Sequence, residues 1–230
     1  MRIERAFYPG KGGNPPRPVG CPLALRLGPG EGAALTGPSG CGKSTYLRVA
    51  AGLHTCFEGR RRVGGGVRIG YMPQEPCLLP FRTVEQNITG MARAVGRKGG
   101  TAEAMLLCRR LGLEGMEGRY PAALSGGQYR RAMLARTLAA APRLLLLDEP
   151  FTGLDGAARA LVRNLLDAYL TRTGAALLLT SHDAEEAGLA EMKFYPVCSP
   201  AGQAEDFRQT TVKVPERVGQ AWISGNHGIV

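Results

Sequence analysis

Residues 33–53 read AALTGPSGCGKSTYLRVAAGL, and this stretch decides the fold. A short apolar piece, AALT (33–36), runs into a glycine-rich turn. KSTYLRVAAGL then reads as a helix that ends near Gly52. The turn, GPSGCGKST (37–45), matches G-x-x-x-x-G-K-[ST], the phosphate-binding loop. Gly37, Gly40 and Gly42 let the backbone curl around a phosphate with no Cβ in the way, and Pro38, Ser39 and Cys41 complete the cradle. Lys43 places a point charge at the β- and γ-phosphates, and Ser44, with Thr45 behind it, offers a hydroxyl to Mg²⁺. Cys41 sits inside this loop near Lys43 and a helix N-terminus, surroundings that favour the thiolate; the stronger reading is that its backbone N–H serves the phosphate and the thiol is incidental.

Working outward, two short continuous apolar runs follow far downstream, LLLL (144–147) and ALLLT (176–180). Runs of this length bounded by turn signals suit strands buried on both faces of a parallel sheet. ARALVRNLLDAYL (158–170) lies between them as a crossover helix. The alternation predicts an α/β domain. The first run ends in LLLLDEP (144–150), where Asp148 is placed to hold Mg²⁺ through water and Glu149 to act as general base on the attacking water. From about Glu75 to Pro142 the composition turns helical, and TAEAMLLCRRLGL (101–113) has helix-like apolar spacing. PGKGGNPPRPVGCP (9–22) reads as loop. GRRRVGGGVRIG (59–70) reads as turn glycines around short β-like pieces, and no periodicity is legible from Met192 onward.

Composition bounds the answer less tightly. At 230 residues the chain is one large domain or two small ones. It is 44% hydrophobic but only 6% aromatic, so Leu, Val and Ala carry the core. A formal charge of +10 fits nucleic acid, anionic lipid, a phosphate ligand or plain solvation alike. Six cysteines without a C-x-x-C pair argue against a zinc site or a disulfide scaffold and suit a reducing cytosol. The N-terminus, MRIERAFYPG, has no apolar core of a signal peptide, and no uncharged apolar run approaches the roughly 20 residues a membrane span needs.

A second glycine pair at the mouth of a helix, LSGGQ (124–128), stands before YRRAMLARTLAAA (129–141). One triphosphate needs one cradle. GPSGCGKST, Gln74, LSGGQ, LLLLDEP, GLD (153–155) and His182 in TSHD, in this order, resemble the ATP-binding subunit of an ABC transporter over about residues 31–190. The resemblance implies a P-loop NTPase core with a mainly parallel sheet, a small antiparallel β subdomain, and a helical subdomain inserted between the Gln74 loop and LLLLDEP. It implies one domain over 1–230: a core of about 1–74 and 143–190, a helical subdomain of about 75–142, and an unassigned tail, 191–230. In the family two such domains dimerise head to tail, each ATP lying between one phosphate loop and the partner's signature. Ser125, Gly126, Gly127 and Gln128 would then meet ATP held by a second ATPase subunit. Gln74 resembles the glutamine that touches Mg²⁺ and water, His182 the switch histidine at the γ-phosphate, and Asp155 the aspartate that communicates across the dimer. An aromatic residue upstream of the phosphate loop stacks on adenine in this family; Tyr8 is the candidate, with Phe7 second.

QEPCLLPFRTVEQNI (74–88) resembles the QEPxLLPW-x-TV segment of importer ATPases for nitrate, sulfonates, taurine and similar solutes, with Phe81 in place of Trp. The resemblance implies transmembrane permease subunits docking near Leu78, Leu79 and Phe81, a solute-binding protein acting through them, and a peripheral position on the cytoplasmic side of the cell membrane. An exporter ATPase and a non-transport ABC ATPase on DNA or ribosomes are the alternatives. The absence of a long coiled-coil insertion and of a second ATPase domain disfavours the latter, and no nucleic acid is expected.

Overall fold

The computed structural model describes residues 1–8, 16–97, 100–182, 192–197 and 210–211. The chain opens with β1 (Arg2–Tyr8), β2 (Arg17–Val19) and β3 (Leu23–Ala24). β4 (Gly32–Thr36) feeds α1 (Lys43–Ala51), and β5 (Phe57–Arg60) and β6 (Ile69–Met72) follow. Then come α2 (Val84–Ala94), α3 (Gly100–Arg110) and α4 (Gly126–Ala139). β7 (Leu144–Leu147), α5 (Gly156–Thr173), β8 (Ala176–Ser181), β9 (Met192–Pro196) and β10 (Thr210–Thr211) complete the described chain.

The larger sheet runs β10-β9-β4-β8-β7-β6. β9 through β6 are parallel, and β10 adds an antiparallel edge. In the smaller sheet β1 pairs antiparallel with β2, β3 and β5. This is the expected α/β class with its two sheets and its helices.

The continuous apolar runs have a simple cause. Alternate strand residues face opposite sides, and both sides of the large sheet are covered. Leu145, Leu147, Leu177 and Leu179 pack with α2 to α5, together with Val84, Ile88, Leu107 and Leu134. Leu146, Leu178, Ala33 and Leu35 pack on the other side with α1 and the small sheet, through Leu47, Val49, Ile3 and Leu23. Each fully buried leucine contributes about 1.5–3 kcal/mol relative to exposure. A polar residue inside either run therefore has to be hydrogen-bonded to persist.

Two sequence expectations are corrected. The sheet does not end near residue 190. β9, MKFYP, pairs in parallel with β4 over Gly32–Thr36. Met192 and Phe194 join one core, and Tyr195 and Val197 the other. Lys193 hides the strand pattern, because its ammonium reaches Glu31 at 3.0 Å and so tolerates a half-buried position. Within the stretch read as loop, Arg17–Val19 is a strand registered against Ala6–Tyr8. Pro18 is acceptable there because the strand lies on a sheet edge, where one N–H can be missing.

Candidate active site

The loops that carry the predicted chemistry all leave the same edge of the sheet. β4 ends at Thr36, β7 at Leu147, β8 at Ser181 and β6 at Met72. The next residues are Gly37, Asp148, His182 and Pro73-Gln74. Open parallel sheets bind ligands beyond the carboxyl ends of their strands, and the order β4-β8-β7-β6 sets these four loops side by side.

The phosphate loop is held by its neighbours. At Gly37 φ is +146°, and a Cβ would lie 2.2 Å from the Val197 carbonyl oxygen, just past β9. At Gly42 φ is +105°, and a Cβ would lie 2.6 Å from Val19 Cγ1 on β2. The two strands that the sequence concealed are thus the reason these glycines are needed. The Lys43 ammonium, buried among polar atoms, donates to the carbonyls of Gly37 (2.7 Å) and Pro38 (3.0 Å). Cys41 is 2% exposed. Burial pushes its thiol up despite Lys43 nearby, so the expected thiolate is corrected to a thiol.

Asp148 and Glu149 form two linked clusters. Asp148 is fully buried. Its Oδ1 accepts from Thr180 Oγ1 (2.7 Å) and Ser44 Oγ (3.1 Å), while its Oδ2 is buried without a hydrogen-bond partner. Burial raises the carboxyl above its ordinary value, opposed by the hydroxyls of Thr180 and Ser44. Glu149 has a left-handed backbone, φ +50°, unusual for a side chain of its size. Its N–H donates to Thr180 Oγ1 at 2.8 Å, and its carbonyl accepts from Arg130 at 2.7 Å. The carboxylate is gripped on both oxygens: His182 Nε2 lies 2.6 Å from Oε1, while Gln74 Nε2 (3.1 Å) and Thr152 Oγ1 (3.3 Å) donate to Oε2. Gln74, Glu149 and His182, far apart in the chain, therefore meet at one carboxylate.

The signature stands elsewhere. Ser125 caps α4: its Oγ accepts from Gln128 N (3.3 Å), and Gln128 Oε1 accepts from Ser125 N (2.9 Å). This reciprocal capping box was legible in the S-x-x-Q spacing. Gly126 and Gly127 already belong to the first helical turn, and Gly127 lies beside the Gly153 carbonyl. Among the described residues, no hydrogen bond links 124–128 to the phosphate loop of the same chain. Asp155 caps α5, its Oδ1 accepting from Ala158 N at 2.7 Å. Behind the signature, Tyr129 accepts from Leu78 N (3.1 Å) and Arg136 donates to the Cys77 carbonyl (2.9 Å). Asn87 bonds Leu79 on both backbone groups.

Tyr8 stands at the end of β1, 42% exposed, with its hydroxyl 3.0 Å from Thr45 Oγ1 and its ring edge-on to His54. The Phe7 carbonyl lies 2.9 Å from His54 Nε2, and the Phe7 N–H donates to the Cys56 carbonyl at 2.9 Å. Of the three apolar residues expected at a docking face, Leu79 and Phe81 are exposed, Phe81 by 91%. Leu78 is corrected: it is buried in the helical core.

Sequence reasoning missed Thr180, Thr152 and Arg130. Thr180 read only as the end of an apolar run; its role depends on β8 extending past β7, whose last pair is Leu147 with Leu179. Arg130 was legible only as a basic residue after the signature.

Comparisons with known proteins show the family and the fold. A family model described as ABC transporter matches residues 22–152. The chain is 39% identical to an aliphatic sulfonates import ATP-binding protein, SsuB 2 of Burkholderia lata, over 81% of this chain and 68% of that protein. It is 42% identical to a taurine import ATP-binding protein, TauB of Escherichia coli O157:H7, over 74% of this chain and 70% of that one. Its fold resembles a dimeric ATP-binding cassette, MJ0796, bound to ADP and Pi, with a TM-score of 0.74 at 23% identity over 86% of this chain and 94% of that one.

Proposed function

The chain belongs to the ABC transporter family, and we propose that it is the ATP-hydrolysing subunit of an importer for a small solute of the nitrate, sulfonate or taurine kind. Two observations support the solute class: the import roles for which its relatives are named and the segment QEPCLLPF (74–81). The observation that carries the hydrolytic reading is the Glu149 carboxylate, held by Gln74, Thr152 and His182 beside a phosphate loop.

In this reading the backbone of 37–45 and Lys43 bind the phosphates, and Lys43 exchanges its two carbonyl partners for phosphate oxygens. Tyr8 stacks on adenine; its exposed ring beside Thr45 supports the assignment. The residues fit Mg²⁺. Asp148 Oδ2 is a buried acceptor lacking a donor, with the Ser44 hydroxyl bound to the same carboxylate and Gln74 in the neighbouring cluster. Mg²⁺ bound there neutralises phosphate charge. Glu149 accepts the proton of the attacking water. For that, His182 has to leave Oε1, and its roughly half-exposed ring is free to turn toward the γ-phosphate.

Ser125, Gly126, Gly127 and Gln128 serve the nucleotide of a second ATPase subunit, with Asp155 at that interface. Their place on a separate helix mouth supports this. α4 there adds the partial positive charge of its N-terminus. Leu79 and Phe81 meet the permease subunits, and a solute-binding protein acts through these on the far side of the membrane. The chain lies on the cytoplasmic face. Among the described residues no helix is long and apolar enough to cross a membrane.

The test is Glu149→Gln with ATP and Mg²⁺. The carboxamide keeps the shape but cannot take a proton, so hydrolysis falls by about 10²–10⁴-fold while ATP binding persists and a dimer accumulates. Retained hydrolysis refutes the role of Glu149, and a monomer at saturating ATP refutes the dimeric site.

A further inference from the structure

The opposite edge of the large sheet, where β7 and β8 begin, holds a cavity of about 460 Å³ between the sheet and the loop 61–67. It is remote from the nucleotide loops, which leave the other ends of the same strands. Its walls include Leu25, Leu27, Val67, Leu144, Leu146 and Leu178. Pockets of about 300–1,000 Å³ are the size that holds small organic ligands. Three arginines also line it, Arg61, Arg62 and Arg143, with Met1 beside them, and no acidic residue takes part. Among the described residues none of the three is in ion-pair contact with a carboxylate. Arg61 donates Nε to the Ala50 carbonyl and Arg143 donates to the Thr173 carbonyl. Both are thereby fixed in place while guanidinium donors remain. Arg62 and Arg143 are exposed.

An aliphatic cavity excludes polar solutes, since a ligand buried there would lose its hydrogen bonds to water. Uncompensated guanidinium groups at the same cavity favour an anion with two or more oxygens, which they contact in parallel. We propose that this cavity is a second ligand site, for a single-chain alkyl anion whose tail lies against Leu146 and Leu178 and whose carboxylate or sulfonate head meets Arg62 and Arg143. It is independent of the nucleotide site and of the transport reading.

The test is calorimetric titration of the full chain, with saturating non-hydrolysable ATP, using decanoate and decane-1-sulfonate below their micelle concentrations. Saturable one-to-one binding of at least one anion is expected, with no saturable binding of decyltrimethylammonium. Arg62→Glu with Arg143→Glu weakens it by about tenfold or more, the scale of a lost charged hydrogen bond. Val67→Trp, which fills the cavity from a half-buried position, removes it. ATP affinity, measured in parallel, reports folding; should Val67→Trp lose it, the surface charge reversal alone decides. The proposal is overturned by no saturable binding of either anion, by equal binding of the cationic chain, or by binding that the charge reversal leaves unchanged.

Discussion

Thr180→Val isolates the least visible part of the site. Valine matches threonine in shape, so no cavity opens, and only the hydroxyl is lost. That hydroxyl donates to Asp148 Oδ1 at 2.7 Å and accepts from Glu149 N at 2.8 Å. Thr180 and Asp148 are fully buried and Glu149 nearly so. Water therefore cannot replace either bond. Leaving a buried group unpaired costs about 1–3 kcal/mol, with charged groups at the upper end. Glu149 N is left unpaired and Asp148 Oδ1 keeps only Ser44, so the two losses sum to roughly 2–6 kcal/mol. For a chain of this length each kcal/mol moves Tm by about 2–4 °C, so a fall of roughly 4–24 °C is expected in thermal unfolding without nucleotide. ATP hydrolysis should fall as well, because the amide that holds Glu149 in its left-handed conformation loses its acceptor. Thr180→Ser keeps the hydroxyl and should lose little more than the roughly 0.8 kcal/mol of one buried methyl. The reasoning is refuted if Thr180→Val unfolds within about 2 °C of the parent with full activity, or if serine is as harmful as valine.

Burial raises the Asp148 carboxyl above its ordinary value of 3.8. A raised acid contributes stability below 3.8 that is lost as pH rises through the folded value. At neutral pH, Asp148→Asn should therefore raise the nucleotide-free Tm while abolishing the extra stabilisation that ATP with Mg²⁺ gives the parent; a lower Tm at pH 7 would contradict the burial argument. Gln128→Ala removes half of the capping box and should cost about 1 kcal/mol in urea unfolding, while Gln128→Glu, which can accept the same bond from Ser125 N, should restore it. Tyr8→Ala should weaken ATP binding by about two- to tenfold, the scale of a lost aromatic contact of roughly 0.5–1.5 kcal/mol, and Tyr8→Phe by less; unchanged affinity in Tyr8→Ala would remove it from the nucleotide site.

What the sequence revealed and what it hid divide along one physical line. The phosphate loop, LLLLDEP and the apolar runs are local patterns, and each element formed where its residues predicted. α1 begins at Lys43 and closes at Gly52 in a left-handed cap. β9 was hidden because five residues with a lysine inside carry too little pattern, and only the pairing with β4 and the Glu31 contact make them a strand. The thiolate expected at Cys41 failed for a related reason. Lys43 and the helix mouth are visible in sequence, whereas the burial that outweighs them comes from the packed fold. Thr180, Thr152 and Arg130 act only through what the fold sets beside them.

The bonds from Tyr129 to Leu78 and from Arg136 to Cys77 have a mechanical consequence. They fasten the helix behind the signature to the segment that ends in exposed Leu79 and Phe81. Under the proposed function these two faces meet different proteins, one a neighbour's nucleotide and the other a membrane subunit. A linkage with no slack between them makes both contacts a single displacement, like two ends of one crank. Loosening it would leave an engine that burns fuel with its drive shaft disconnected: ATP turnover would continue, and the solute would stay where it was.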